Sequence, residues 1–452
     1  MSQDIREHSS EERRELIREA LERLNEQNLH EVKFVLESMP AADVAEVIEE
    51  LPAEQKPRVF KLLESDDAGE VLSEVNTDTV HDLADALFES VADAAKHMEP
   101  DEVADLLEAL PEEQRRGVLS ELPTEEAHKA RELLVHPADT AGGIMTPEFL
   151  LLDGDTTAAG AIEILQRSRE SETSTHLFAK DKDERLIGHL PLHRLVFARP
   201  DRKLSELAET ELAAVTPDTD REEVVRVATH YGLGIVPVVD EGGRLVGVIT
   251  TDDILDAGRE EADEDMYRLA GTNERDPVHA TVLRSTRLRL PWLLLTLVGG
   301  LVIAFLVSRF ASALTVAQIA FFIPLIPLMG GNVAIQAATI VVRGLAVGDI
   351  ERGHLLSFIV KQWMVTLVLA LCCGVAALAV ALLLPWVDNR VALVVGTAVA
   401  FAITVAGTLG TLLPLMFHKM GIDPAVSAGP FVTVLNDLIC IAIYLSLGAS
   451  LA

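Results

Sequence analysis

The sequence of 452 residues predicts an N-terminal helical superhelix, a tandem pair of α/β modules, a connecting helix and five transmembrane helices. Three observations predict this multi-domain combination of α, α/β and membrane-α structure. Five long apolar runs follow Arg289, two kinds of internal repeat precede them, and the charge changes sharply between the two parts. The chain is therefore read as a soluble part followed by a membrane part.

The charge is concentrated in the first 280 residues. From residue 281 onward there are nine Lys or Arg and five Asp or Glu, about +4 in total. The preceding part holds the other 29 basic and 66 acidic residues and carries about −37. Such an acidic surface excludes nucleic acid as a partner, because the phosphate backbone is itself negative, and it favours cations.

The N-terminal sequence MSQDIREHSSEERRELIREA is charged and has no apolar signal-peptide core, so we expect the acidic part to be cytoplasmic. The cysteines, Cys372, Cys373 and Cys440, lie in apolar runs without metal-ligand spacing, and no disulfide framework is expected. The sequence has no Walker motif, nucleophile elbow or His/Cys metal site. An enzyme is therefore not expected, and neither is an ATP-driven pump.

The superhelix is predicted from a repeat. DVAEVIEELPAEQ at 43–55 matches EVADLLEALPEEQ at 102–114, and DTVHDLADALF at 78–88 resembles a half-unit between them. Val44, Val47 and Ile48 have helical spacing with one apolar stripe. Short helices that end at Leu-Pro or Met-Pro predict a helical superhelix over about 10–130.

The α/β modules are predicted from a second repeat. GIVPVVDEGG followed by GRLVGVITTDDIL indicates a β-hairpin that leads into a helix, and a similar order occurs earlier around STHLFAKDKDERLIGHLPLHRLV. These segments resemble paired CBS modules, at about 140–200 and 205–257. The acidic helix that follows, around DAGREEADEDMYRLAG, has the composition of a solvated linker, but it is also the connection to the first span.

The membrane part has an odd number of spans, placed at 290–310, 315–342, 355–384, 391–417 and 425–450. Basic residues cluster before the first span, around the second loop and after the fourth span, whereas the other two loops carry only Arg309 and Arg390. The positive-inside rule then places the N-terminus inside and the C-terminus outside.

Polar and helix-breaking residues interrupt these spans. The second span contains FFIPLIPLMGGNVAIQ, and the fifth begins DPAVSAGPFVTVLND. The glycines and prolines are also compatible with simple helix packing. Asp437 is different, because an ionisable group near the membrane centre costs about 2.5–3.5 kcal/mol. A protonated Asp437 bonded to Asn436 or to a neighbouring helix remains an alternative, and a cation path is the favoured interpretation.

The whole chain resembles the MgtE-type magnesium channel family. The resemblance is carried by AGGIMTPE (141–148), VPVVDEGGRLVG (236–247), DEDMYRLAG (263–271), GGNVAIQAATIVVRGLA (330–346) and GIDPAVSAGPFVTVLND (421–437). It implies a homodimeric, Mg²⁺-selective channel or transporter of the inner membrane that imports Mg²⁺. The expected domains are 1–135 (helical), 136–257 (CBS pair), 258–280 (connecting, or plug, helix) and 281–452 (pore).

The resemblance also implies site residues. Asp437 would hold hydrated Mg²⁺ beside the two-fold axis, and the pore lining would include Asn332, Gly429, Pro430 and Asn436. Cytosolic Mg²⁺ would be sensed at Asp423, Glu261, Glu264, Asp265, Asp256, Asp253, Asp220, Glu222, Glu70, Asp101, Asp105 and the backbone of Gly142. Mg²⁺ bound between acidic faces would favour the closed state and stop uptake.

Three departures from the family pattern accompany this resemblance. Ala334 and Ile335 replace a common Gly and a common polar residue, and Gly232 lies where an acidic ligand is expected. The CBS nucleotide pattern is met in the second module by Thr250 and Asp253. The first module fails it at Pro191 and Arg194, so adenine-nucleotide binding, which the second module alone would allow, is not favoured. A counter-ion-coupled transporter or exchanger of another divalent cation, such as Co²⁺, stays the alternative function.

Overall fold

The computed structural model describes residues 29–167, 176–210, 213–272, 282–309, 317–346, 350 and 355–449. The chain divides into two compact units, Met1–Ala257 and Gly258–Ala452. The predicted superhelix is therefore described from residue 29 only. Its stretch 10–28, and 273–280 of the predicted connecting segment, lie outside the described residues.

The first part of unit one is helical, as predicted. The two copies of the repeat, at 43–55 and 102–114, each form a helix, and the apolar stripe of the first is buried: Val44, Val47 and Ile48 are no more than 5% exposed. One of these helices begins with a polar cap, since the Asn76 side chain accepts from the Thr79 amide at 2.8 Å. The helices are α1 (Leu29–Leu36), α2 (Ala41–Glu50), α3 (Lys56–Phe60), α4 (Ser65–Glu74), α5 (Thr77–Ala94), α6 (Pro100–Ala109), α7 (Glu112–Glu121) and α8 (Thr124–Leu133).

The second part of unit one contains two small sheets. In the first, β1 pairs parallel with β2, and β2 pairs antiparallel with β3. In the second sheet, β4 and β5 are antiparallel. Val215 forms a parallel bridge to Val238, in the position that β1 has beside β2 in the first sheet. The elements are β1 (Leu150–Asp153), α9 (Ala158–Arg167), β2 (His176–Lys180), β3 (Leu186–Pro191), α10 (Leu192–Phe197), α11 (Leu204–Leu207), α12 (Arg221–Tyr231), β4 (Val236–Val239) and β5 (Leu245–Ile249).

The two modules share a core, as expected for a CBS pair. Phe178 of the first sheet packs with Ile235, Leu245 and Val248 of the second. A further cluster adds Ala104 of α6 to residues of the second module, so the helical domain packs on this module. Burial of these apolar side chains holds the parts of unit one together.

The last helix of the second module continues into the acidic segment. Helix α13 runs from Thr251 to Leu269, although the sequence suggested a module helix followed by a separate connecting helix. No proline interrupts this stretch, and one internal glycine, Gly258, costs only about 1 kcal/mol. The turn that follows the helix contains Gly271, whose φ of 78° lies in the left-handed region that glycine tolerates.

The described residues of the second unit include five candidate membrane spans, as predicted. They are Thr286–Arg309, Gln318–Ala346, Leu355–Leu383, Asn389–Lys419 and Pro430–Ala449. The helices are α14 (Val282–Arg309), α15 (Ala317–Phe322), α16 (Leu325–Ala346), α17 (Leu355–Leu383), α18 (Asn389–Lys419), α19 (Pro424–Ala428) and α20 (Pro430–Ala449).

Two of the spans differ in detail from the prediction. The second is broken between Phe322 and Leu325, at Pro324. The fifth begins at Pro430 instead of residue 425, because short α19 ends before Gly429. Both breaks coincide with a proline that cannot donate a helical hydrogen bond. Backbone groups freed in this way must find partners in protein or in water.

Candidate ion path and regulatory carboxylates

Asp437 lies seven residues into α20, about 10 Å along the helix from its start at Pro430. It is partly buried, and among the described residues it has no basic partner. Asn436, which is fully buried, donates from Nδ2 to the Asp437 Oδ1 at 3.2 Å. The carboxylate is therefore supported by one neutral donor and balanced by no cation of the described chain.

A polar stripe runs along α16. Asn332, Gln336, Thr339 and Arg343 are exposed and follow each other at spacings of four, three and four residues. Residues at these spacings share one face of a helix. Of these four residues only Asn332 was predicted from the sequence, although the spacing alone identifies the other three. We call these four residues the polar stripe.

The structure connects Asp423 to the end of α13. Asp423 begins α19, where its Oδ1 accepts from the Ala425 amide at 2.7 Å. Arg268 forms ion pairs with both Asp423 and Glu264. Arg268 was not predicted from the sequence, since an arginine that lies between two acids is identified only by tertiary contacts.

The end of α13 also contacts the start of α20. A Cβ atom placed at Gly271 would lie 2.7 Å from the Cγ of Pro430. A Cβ placed at Gly429 would lie 3.0 Å from the Arg268 carbonyl oxygen and 3.1 Å from that of Leu269. The two backbones therefore approach closely at the break that precedes Asp437, and larger residues there would separate them.

The connecting-helix acids, Glu261, Glu264 and Asp265, are partly buried on α13. Burial raises the pKa of Asp265 to about 6, and the nearby Glu261 raises it further, whereas Arg268 and Arg343 lower it. The predicted ligands Asp423, Glu261, Glu264 and Asp265 are thus brought into one neighbourhood, with Arg268 among them.

A second group of carboxylates surrounds the start of α6 in unit one. We call it the α6 acidic cluster: Glu99, Asp101, Glu102, Glu148 and Asp253. Burial raises the pKa of Glu99 to about 7 and that of Asp253 to about 7, and the neighbouring acids add to both shifts. Lys129 pairs with Glu148 at 2.8 Å. Close packing of these acids is unfavourable when all of them are ionised.

Asp101 is the most buried member of the α6 acidic cluster. It is only 9% exposed, and its Oδ1 is buried without a hydrogen-bond partner. Burial raises its pKa to about 6, although hydrogen bonds from its own amide and from Thr146 oppose this. Asp253 accepts a hydrogen bond from the Thr250 hydroxyl. A buried oxygen without a partner is a suitable ligand for a cation or for water bound to one.

The remaining predicted ligands are less enclosed. The loop of Gly142 lies beside that of Asp220, since Ala141 donates to the Thr219 carbonyl at 2.6 Å. Asp220 caps α12, and Gly232 ends it with φ 64°, where an acidic residue would be strained. Four acids are exposed: Glu222, Glu70, Asp105 and Asp256. Within the described part of the chain, no three His, Cys, Asp or Glu side chains converge into a metal-binding group.

Three family models match this chain. One described as a divalent cation transporter, MgtE, matches residues 323–447. One described as the MgtE intracellular N domain matches 39–139, and one described as a CBS domain matches 204–260. The predicted resemblance is confirmed for the helical, CBS and membrane parts.

Two relatives extend over most of the chain. The magnesium transporter MgtE of Bacillus subtilis (strain 168) is 30% identical over 360 residues, which cover 79% of each chain. The magnesium transporter MgtE of Thermus thermophilus is 32% identical over 358 residues, 76% of this chain and 78% of the relative. A crystal structure of the cytosolic domain of the Mg²⁺ channel MgtE in complex with ATP is 31% identical, with a TM-score of 0.49, and covers 53% of this chain and 98% of that one.

Proposed function

Because this chain belongs to the MgtE family of magnesium transporters, we propose that it imports Mg²⁺ through a homodimeric channel in the inner membrane. The observation that carries the proposal is the position of Asp437, a carboxylate within a candidate membrane span that no described cation balances. A permeating cation supplies the missing charge.

The chemistry at Asp437 favours Mg²⁺. This ion sheds its waters reluctantly and is usually held by one or two carboxylates with several waters retained. A two-fold axis beside α20 would place two copies of Asp437 around one hydrated ion. The polar stripe on α16 offers amide and hydroxyl groups to water along the same path, where lipid would be an unfavourable neighbour.

The orientation follows from the basic residues. Arg287 and Arg289 precede the first apolar stretch, and His418 with Lys419 end α18. The positive-inside rule then puts unit one in the cytoplasm and the C-terminus outside. Mg²⁺ driven by an inside-negative potential would reach Asp437 before the cytoplasmic mouth at Asp423.

Regulation by cytosolic Mg²⁺ is proposed at the α6 acidic cluster and at the connecting-helix acids. Two unit charges 4 Å apart repel by about 4 kcal/mol at an effective dielectric constant near 20. Mg²⁺ would fit beside Asp101, whose Oδ1 has no hydrogen-bond partner, with Asp253 as a second ligand. Binding that favours the packed arrangement shifts the population towards it.

The link between sensing and conduction is proposed at the end of α13. Arg268 and Leu269 pack against Gly429, directly before the helix that carries Asp437. A shift of α13 would therefore move the break at Gly429 and Pro430. When Mg²⁺ is scarce, repulsion among the acids would release α13 and free the pore.

The test is Mg²⁺ influx into proteoliposomes that contain the full chain, at several membrane potentials. Asp437→Asn keeps the size of the side chain but removes the charge, and we expect it to reduce influx to background. The matched control is Asp388→Asn, because Asp388 only caps α18 and Asn caps equally well.

The two outcomes of this assay differ clearly. Influx that follows the membrane potential without any counter-ion gradient supports a channel, whereas a required counter-ion gradient indicates an exchanger. Influx in Asp437→Asn equal to that of the unchanged chain would contradict the proposed role of Asp437. Repeating the assay with Co²⁺ tests the choice of ion.

A further inference from the structure

We propose that Gly330 and Cys440 are positioning residues of the ion path: they fix the amide of Asn436, and this amide fixes the carboxylate of Asp437. The inference rests on the proposed function, because it takes Asp437 to be the ligand of hydrated Mg²⁺. Neither Gly330 nor Cys440 needs to touch the ion. Both act through the interior of the protein.

Cys440 determines which way the amide faces. It lies one turn after Asn436 on α20 and is 1% exposed. Its Sγ donates to the Asn436 Oδ1 at 3.3 Å, the nearer of two acceptors, since the Ala402 carbonyl oxygen lies at 3.9 Å. The Asn436 Nδ2 donates to the Asp437 Oδ1 at 3.2 Å. With the amide oxygen facing the thiol, the NH₂ group faces the carboxylate. A residue without a donor at 440 would leave this fully buried oxygen without the bond.

Gly330 provides the space that the amide occupies. A Cβ atom placed at Gly330 would lie 2.8 Å from the Nδ2 of Asn436 and 3.0 Å from its Oδ1. The obstructed atoms are the end of a side chain, so a methyl group at 330 would displace the amide while the backbone could stay. At the next position, Gly331, the nearest atom to a Cβ is the Thr433 Cγ2 at 4.0 Å, an ordinary contact. Of these two adjacent glycines, only Gly330 borders the amide.

The consequence for the ion follows from what each oxygen of Asp437 contacts. Oδ1 is held by the buried amide, and Asp437 itself is partly exposed. A carboxylate fixed at one oxygen presents the other in one direction, which suits an ion bound through its water shell. Ca²⁺ is larger and accepts irregular geometry. Loosening Asp437 is therefore expected to reduce discrimination against Ca²⁺ more than total conduction.

The test compares Mg²⁺ and Ca²⁺ influx for variants of the full chain in proteoliposomes. We expect Gly330→Ala and Cys440→Ala each to lower the Mg²⁺/Ca²⁺ influx ratio by about fivefold to tenfold, the effect of one lost hydrogen bond. Cys440→Ser keeps a donor and should retain most of the ratio. Gly331→Ala is the matched control and should keep the ratio of the unchanged chain.

A double-mutant cycle separates positioning from general loosening of the helices. If Gly330 and Cys440 act through the amide, adding either alanine substitution to Asn436→Ala should change the ratio no further. Additive effects would overturn the inference, as would a Gly331→Ala variant that is as impaired as Gly330→Ala. Cys440→Ser behaving like Cys440→Ala would overturn the part assigned to the thiol. Thermal unfolding midpoints of all variants identify any that fail to fold.

The same assay separates this inference from the proposed function. If the unchanged chain conducts Mg²⁺ and Asp437→Asn does not, the proposed function stands whatever the ratios of the Gly330 and Cys440 variants. If Asp437→Asn conducts like the unchanged chain, the proposed function fails, and the positioning inference fails with it.

Discussion

Replacing Asp101 with asparagine is expected to stabilise unit one when Mg²⁺ is absent. Burial raises the pKa of this carboxyl from 3.8 to about 6. Each pKa unit corresponds to about 1.4 kcal/mol, so the ionised side chain costs the packed arrangement about 3 kcal/mol at most. Because the packed-state pKa is the higher one, this cost is complete above about pH 6 and is lost below about pH 4.

Hydrogen exchange of the α6 amides measures the effect on the full chain. In EDTA at pH 7.5, we expect the free energy of opening around α6 to rise by about 1–3 kcal/mol in Asp101→Asn. At pH 5.0 the gain should be about half as large, because the unchanged carboxyl is then partly protonated. Added Mg²⁺ should protect α6 less than in the unchanged chain, since one of the proposed ligands of Mg²⁺ is missing.

The control for this prediction is Glu108→Gln, which neutralises an exposed acid on the same helix. It should leave α6 exchange nearly unchanged at both pH values. Exchange in Asp101→Asn that is equal to or faster than in the unchanged chain at pH 7.5 would refute the reasoning. Asp101 would then be stabilised by contacts that offset its burial.

Two further predictions concern closure by internal Mg²⁺, measured as the Mg²⁺ concentration that halves the influx. Neutralising the connecting-helix acids together should raise this concentration more than tenfold, because the carboxylates proposed to bind the regulatory ion are lost. A channel that still closes normally would refute this sensor assignment. Arg268→Gln should raise it by about threefold to tenfold, since Glu264 and Asp423 then repel without a cation between them. Arg259→Gln, at an exposed position of α13, is the control, and an equal effect there would contradict a specific role for Arg268.

The elements that the sequence predicted well depend on local patterns. The α2 and α6 repeat copies, the β4–β5 hairpin and the five spans each follow from periodicity or apolar length within one segment. The limits of the fifth span were less accurate, because a proline can end one helix or begin the next. The continuity of α13 across residue 257 was harder to predict, because it depends on the absence of a helix-breaking residue, and composition indicates this only weakly.

Much of the candidate site could not be predicted from the sequence, because it depends on contacts between distant segments. Glu148 is 47 residues from Asp101 in sequence, and no local pattern marks it as a member of the α6 acidic cluster. Asn436 was expected to line the pore, but its side chain is fully buried and contacts Asp437 from the interior. Ala334 is also fully buried, and its carbonyl oxygen occupies the space beside Gly410.

The polar stripe has a consequence for assembly. Amide and guanidinium groups exposed on a lone subunit would face hydrocarbon chains until a second copy and water covered them. In the proposed homodimer, covering these groups would therefore favour pairing within the bilayer. A defective or truncated copy would then be expected to pair with an intact one and to lower its activity, since either pairing covers the exposed polar groups.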